Sequence, residues 1–276
     1  MDAEVVATPV LERLHAGAAT GVVRGATERA AYLDLGGFVV ALTAPGVPLM
    51  PNGIAVPRTA VPDGPVRAAP GRIDAGATAI TWDAADPPSW EPALAEVAPA
   101  DVAGLRARAD EIAAALSGDP AAPGSGLIAT DRGEEGLGHL ARAVATRDLA
   151  AAALAAERLT GLGGGLTPEG DDVLAATAAV VAAAGGAAGF RADDRARWLA
   201  ALVPDETAAR TTALAATLLR LAARGRVIEP VHRLLDPGGG EWRDALATLA
   251  ATGASTGHAY AAGVASTLAL LFGEEP

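Results

Sequence analysis

The chain has no cysteine, which excludes disulfides, thiolate nucleophiles, iron–sulfur clusters and cysteine-bound zinc. It has no lysine either, since all 21 basic residues are arginine, so a lysine Schiff base and a lysine ligand for phosphate are excluded. Aromatic residues make up only 3%, against 51% hydrophobic residues in which alanine is prominent. A core of alanine, valine and leucine favours closely packed helices. Positive charge is in deficit: the net charge of −12 argues against a nucleic-acid partner, which needs a basic surface to neutralise phosphates. Residues 1–6 carry two acids and do not open like a secretory signal. The uncharged, alanine-rich run 173–190 follows an acidic pair and closes with Gly185, Gly186 and Gly189. It reads as a buried helix and not as a membrane span, so no membrane partner and a cytoplasmic location are expected.

What is present divides by composition. A chain of 276 residues is long enough for a sizeable core or for two domains. Residues 1–19 suit a short helix or an irregular lead-in. From Thr20 to about Asp83, short runs rich in β-branched residues alternate with turn residues. The runs 21–24, 31–35, 38–43, 54–56, 71–74 and 77–82 are expected strands, forming a small antiparallel sheet or barrel. The segment Pro48-Leu-Met-Pro-Asn-Gly53 is expected to be a hairpin connection. Residues 100–116 carry Val102, Leu105, Ile112 and Leu116 on one stripe, an amphipathic helix. The Ser-Gly-Asp-Pro-Ala-Ala-Pro-Gly-Ser-Gly run that follows is a linker by composition. The expected organisation is α+β: a β-rich N-terminal domain over 1–117, a linker over 118–126 and a helical domain over 127–276. Helices are expected at 137–145, 148–159, 173–184, 193–202, 207–223, 229–235, 242–250 and 259–272, with Gly225 ending the fifth of them as a C′ residue.

The organising motif lies at 161–172: Gly-Leu-Gly-Gly-Gly-Leu-Thr-Pro-Glu-Gly-Asp-Asp. A glycine loop lets the backbone turn tightly or approach a ligand closely. Thr167 is the expected N-cap and Pro168 the expected first helical residue. Glu169, Asp171 and Asp172 then fall in the first turn, where acids complement the helix dipole. The same helix start offers unpaired N–H groups to an anion, which nearby acids would repel. Two resolutions present themselves. A divalent cation such as magnesium is held by Asp171 or Asp172 and bridges to the anion, or the carboxylates hold a neighbouring loop or cationic group. The motif is not a Walker A loop, because no Gly-Lys-Ser/Thr follows the glycines.

The arrangement partly recurs. Gly253-Ala-Ser-Thr-Gly257 precedes a last apolar helix, with Ser255 and Thr256 as cap or anion donors, and both helix starts are expected to converge on one pocket. Arg210, Thr211 and Thr212 open the helix between them and suit an oxyanion site. Arg158 is near enough in sequence to supply a cation, while the isolated His15 and His139 receive no role.

The string Gly-Leu-Thr-Pro-x-Gly-Asp-Asp resembles the signature of a family long known only as a domain of unknown function, which includes the AllH-type subunit of oxamate carbamoyltransferase. The order of parts is also similar: a strand-rich first half with a Gly-Pro-type loop near 48–54, a helix of threonine and small residues at 210–219, and a late Gly-x-Ser-Ser-Gly-type helix start at 253–257. Glu169 stands where the family usually has serine, and His258 and Ala259 stand where the late motif often has an aromatic and an acid. The resemblance implies a subunit of a multi-subunit enzyme of purine-ureide breakdown, interconverting carbamoyl phosphate plus oxamate with oxalurate plus phosphate. On that reading Asp171 and Asp172 are the catalytic or orienting acids. A small anionic substrate is bound by Gly163, Gly164, Gly165, Thr167, Gly170, Arg210, Thr211, Ser255, Thr256 and Gly257, with the other subunits of the carbamoyltransferase as partners. Two alternatives remain open: a non-catalytic assembly subunit whose glycines serve helix packing, and a metal-dependent enzyme acting on another ureide or amide.

Overall fold

The computed structural model describes residues 1–58, 62–117 and 130–273. They form two compact units, one of Met1–Pro92 with Val227–Glu229, the other of Ala93–Arg226 with the segment from Pro230 on. The linker expected at 118–126 lies outside the described residues, which resume at 130. The fold is α+β, as the sequence implies.

The first unit is a nine-stranded curled sheet, a half-barrel. Its strands are β1 (Val5–Ala7), β2 (Ala19–Ala26), β3 (Ala30–Asp34), β4 (Val39–Thr43), β5 (Gly53–Ala55), β6 (Pro65–Ala69), β7 (Arg72–Ala75), β8 (Thr78–Thr81) and β9 (Ser89–Trp90). Their order across the sheet is β8-β7-β6-β2-β3-β4-β5-β1-β9. The curl has a visible cause: the Ala3 N–H donates to Thr81 O at 2.8 Å and the Thr81 N–H to Met1 O at 2.9 Å, joining β8 to the segment ahead of β1. Every residue of β4 is buried, whereas β2 alternates between more and less exposed positions, the period-2 signature of a sheet with one face on a core. Val6, Leu33, Leu35, Leu42, Ile54, Ile73 and Ile80 fill that core. The helix α1 (Thr8–His15) adds Val10 and Leu14 to it.

Most pairs are antiparallel, but β4–β5 and β1–β9 are parallel. The hairpin expected at 48–53 is therefore a crossover. A parallel return cannot be made by a tight turn, and residues 44–52 make it as a loop. In that loop Asn52 is fully buried and donates from Nδ2 to Val39 O at 2.8 Å.

The second unit is helical: α2 (Val102–Ser117), α3 (Asp131–Thr146), α4 (Leu149–Leu159), α5 (Glu169–Ala184), α6 (Ala192–Leu202), α7 (Ala213–Ala222), α9 (Trp242–Ala250) and α10 (Thr256–Phe272). The helix α8 (Glu229–Leu235) begins where the two units meet in sequence. Side chains close several helix starts: Thr130 accepts from the Gly133 N–H, Asp148 from Ala150 and Ala151, and Thr212 from Ala215, each relieving an orphan donor. The helix expected over 207–223 is broken. Residues Asp205–Ala209 form a short 3-10 turn and α7 starts afresh behind the Thr212 cap.

The centre of this unit is α5, in which every residue except Ala182 is buried. It packs against α10, α7, α6 and α4. Two threonine pairs give its relation to α10. Thr167 Oγ1 lies 2.8 Å from Thr256 Oγ1 at the two helix starts, and Thr177 Oγ1 lies 3.0 Å from Thr267 Oγ1 further along. The two helices therefore run parallel, starts together. The helix α7 shares that direction: Thr212 at its start donates to Leu166 O at 2.5 Å, and a Cβ on Gly225, just past its end, would stand 3.7 Å from Ala182 Cβ. The Thr177–Thr267 pair is wholly buried, so Thr177→Val should leave one hydroxyl unsatisfied and cost about 1–3 kcal/mol. The Thr177→Val/Thr267→Val double variant should cost less than the sum of the two single changes in a urea-denaturation cycle.

Candidate functional site

Because α5, α7 and α10 run parallel, the positive ends of three helix dipoles and their unpaired N–H groups come together. The glycine loop, residues 161–168, joins the end of α4 to that point. Gly161, Gly163 and Gly165 have φ of +71°, +115° and +79°, the left-handed region open to glycine. The loop is pinned at both ends. The Gly161 N–H donates to Asp171 Oδ1 at 3.0 Å and the Gly170 N–H to Leu162 O at 2.9 Å. At the far end, Leu166 O takes the Thr212 hydroxyl and Thr167 meets Thr256. Between these anchors, the N–H groups of Gly163, Gly164, Gly165, Leu166 and Thr167 donate to no protein group among the described residues. Gly164, Gly165 and Leu166 are exposed, and Leu166, at 46%, is among the most exposed large apolar residues.

Pro168, not Thr167, is the N-cap of α5, and it provides no side-chain bond. The Thr167 hydroxyl is engaged across to α10 instead.

The three acids of the first turn are buried, Glu169 at 4% exposure and Asp171 and Asp172 at 2% each. Asp171 accepts from the Gly161 N–H and from the Thr211 hydroxyl, tying the glycine loop to the segment ahead of α7. Burial pushes its carboxyl up, while Thr211, Gly161 and the Arg210 charge pull the other way. Asp172 is driven well above the ordinary carboxylate range by burial. The Thr256 hydrogen bond opposes that rise, and the charges of Asp171 and Glu169 add to it. One oxygen on each of two acids, Asp172 Oδ2 and Glu169 Oε1, has no hydrogen-bond partner. Tyr260, one turn into α10, is buried, and its hydroxyl is pushed up by burial and then by Asp172.

The two helix starts converge as expected: Thr167 and Thr256 touch. Ser255 is the N-cap residue of α10 but closes it with no side-chain bond. Both candidate cations are engaged with other groups. Arg210 donates its guanidinium to the Glu157 carbonyl, and Arg158 faces Glu135 at 3.3 Å. Gly170 and Gly257 are buried with backbone against them, since a Cβ would stand 2.2 Å from Leu159 O and 1.6 Å from Leu249 O respectively. Among the described residues, no group of three or more histidines or acids is arranged to hold a metal ion. Tyr260 and the Leu166 carbonyl were not singled out from the sequence. A tyrosine four residues beyond Thr256 shares its helix face, and that spacing is the signal by which the sequence marks it.

Residues 159–268, from the end of α4 to within α10, match the family model described as oxamate carbamoyltransferase subunit AllH. This bears out the resemblance carried by the glycine motif. The family so described is one subunit of a carbamoyltransferase, an enzyme that has other subunits beside it. No curated protein and no solved structure matches the chain. No helix among the described residues is long and apolar enough to cross a membrane.

Proposed function

We propose that this chain is a subunit of a carbamoyltransferase that interconverts carbamoyl phosphate plus oxamate with oxalurate plus phosphate, and that it binds the anionic substrate at the shared start of α5, α7 and α10. The observation that carries the reading is the run of unpaired, solvent-reachable N–H groups in the glycine loop, set where three helix dipoles present their positive ends. Successive free N–H groups of this kind form an anion-binding concavity. In carbamoyl transfer, charge develops on the carbonyl oxygen and on the departing phosphate, and fixed N–H and hydroxyl donors stabilise such charge without reorganising. Gly163–Gly165 with Leu166 and Thr167 supply the N–H groups, and Ser255 supplies a hydroxyl not spent on capping. Asp171 acts by holding the loop to the Thr211 segment.

A second reading is favoured by one observation. Gly170 and Gly257 are filled against backbone carbonyls, as a purely structural subunit would have them. One variant separates the readings. A Cβ on Gly164 would meet nothing within 4 Å, so Gly164→Ala leaves the fold intact but stands where a ligand must approach the loop. With the chain assembled with its partner subunits, Gly164→Ala and Ser255→Ala should each lower kcat/KM for oxalurate phosphorolysis by about tenfold or more, with assembly unchanged. Wild-type rates from both variants, or equal rates with and without this chain, would leave the assembly role standing.

A further inference from the structure

Thr212 opens α7, and its hydroxyl makes two bonds. It accepts from the Ala215 N–H at 3.0 Å, which caps the helix, and it donates to Leu166 O at 2.5 Å. A hydroxyl has one proton to give, so the Thr212 proton is spent on the glycine loop and not left for a ligand. No other hydrogen bond among the described residues reaches Leu166 O. The Leu166 carbonyl and the Thr167 N–H belong to one peptide group, which is planar and trans. In such a group the N–H points opposite to the C=O. With Leu166 O turned to the start of α7, the Thr167 N–H is turned away from it.

We propose that Thr212 is a positioning residue for the anion site: by holding the Leu166 carbonyl, it aims the Thr167 N–H at the bound anion. The inference rests on the reading that this loop binds an anion, and it deepens that reading by giving one donor a fixed direction.

Two consecutive threonines divide the loop between them. Thr211 holds its first end through Asp171, which also accepts from the Gly161 N–H. Thr212 holds its last end directly. Thr167 is fixed from a second side, because its Oγ1 lies 2.8 Å from Thr256 Oγ1. Its peptide group is thus tied to the start of α7 and its hydroxyl to the start of α10. The stretch before it is built differently. Gly163 and Gly165 have φ of +115° and +79°, and a Cβ on Gly164 or Gly165 would meet nothing within 4 Å. Donors there can adjust to a ligand, whereas the Thr167 N–H is held in place and donates to no protein group among the described residues. A donor fixed in advance stabilises charge without reorganising when the charge arrives.

The test must separate aiming from capping. Glycine is nearly as good an N-cap as threonine and has no hydroxyl, so Thr212→Gly removes the bond to Leu166 O, keeps the start of α7 and adds no charge. Inorganic sulfate is the probe, titrated into the full chain at neutral pH, with binding read by calorimetry and by the NMR shifts of the loop amides. In the wild type the Thr167 amide proton should move downfield as sulfate saturates the site. Thr212→Gly and Thr212→Val should each bind sulfate about tenfold more weakly, the scale of one hydrogen bond to a charged group. The sulfate-induced shift should shrink at Thr167 more than at Gly164 and Gly165, and Thr212→Ser should restore both affinity and shift. The wild-type shift needs no variant, so the test does not depend on either substitution folding. A Thr167 amide that is unmoved in the wild type while Gly164 responds would overturn the role of Thr212 alone. So would wild-type affinity in Thr212→Gly or Thr212→Val, an equal loss of shift at every loop amide, or a failure of Thr212→Ser to restore binding. No sulfate binding by the wild type would overturn that role and the anion reading together.

Discussion

Gly257→Ala is expected to destabilise the helical unit by more than about 3 kcal/mol, beyond the usual range for overpacking, and in many conditions to prevent its folding. The new Cβ would stand 1.6 Å from Leu249 O and 2.6 Å from Leu249 C. Neither is the end of a flexible side chain that can swing away. Leu249 O already accepts from the Thr252 N–H at 2.8 Å, and the Gly257 N–H donates to Thr252 O at 3.0 Å. Relieving the clash means moving the end of α9 away from the start of α10 and breaking that short connection. The movement would also carry Thr256 off Thr167. Gly164→Ala is the matched control, with nothing near its Cβ, and it should unfold within about 0.5 kcal/mol of wild type in urea. A Gly257→Ala protein as stable as wild type would mean that the close approach of α9 and α10 is not needed for the fold.

That contrast between two glycines of similar motifs explains how far sequence reasoning reached. Composition marks both loops as glycine-rich helix starts, and nothing in a run of glycines tells a ligand-facing one from one crushed against a carbonyl. Helices announced themselves well: the expected spans 229–235 and 242–250 coincide with α8 and α9. Regular apolar spacing and caps are local signals. The strands at 31–35 and 38–43 were equally plain because β-branched residues sit between turn residues. By contrast β1 and β9 are three and two residues long, and β6 opens with Pro65, which reads against a strand. Their pairing is set by distant chain, as is the parallel return from β4 to β5. At the site, the convergence of the loops at 161–168 and 253–257 was readable from their repetition. The parallel course of α7 was not, because it depends on how α7 packs along α5. Nor was the inward engagement of Asp171 and Asp172, since an acid in a first helical turn is equally at home in solvent.

Asp172→Asn is expected to raise the stability of the protein at neutral pH by about 1–3 kcal/mol, the scale of a buried polar group left without its full set of partners. The sign follows from proton linkage. The Asp172 carboxyl holds its proton more tightly in the folded chain than in the unfolded one. Its stabilising contribution is therefore complete below the unfolded pKa, about 3.9, and is lost as pH rises through the higher folded value. Above that point, folding must bury a charge or a proton must be taken from solvent at a cost. An asparagine amide escapes the cost: it is neutral at every pH, has nearly the same shape, and can donate to Thr256. Thermal melts across pH should show the wild-type and Asp172→Asn curves close together in acid and diverging towards neutrality, with the variant a few degrees higher, about 2–4 °C per kcal/mol for a unit of this size. A variant less stable than wild type at neutral pH would reverse the picture, making the ionised carboxylate a net partner of the helix starts around it.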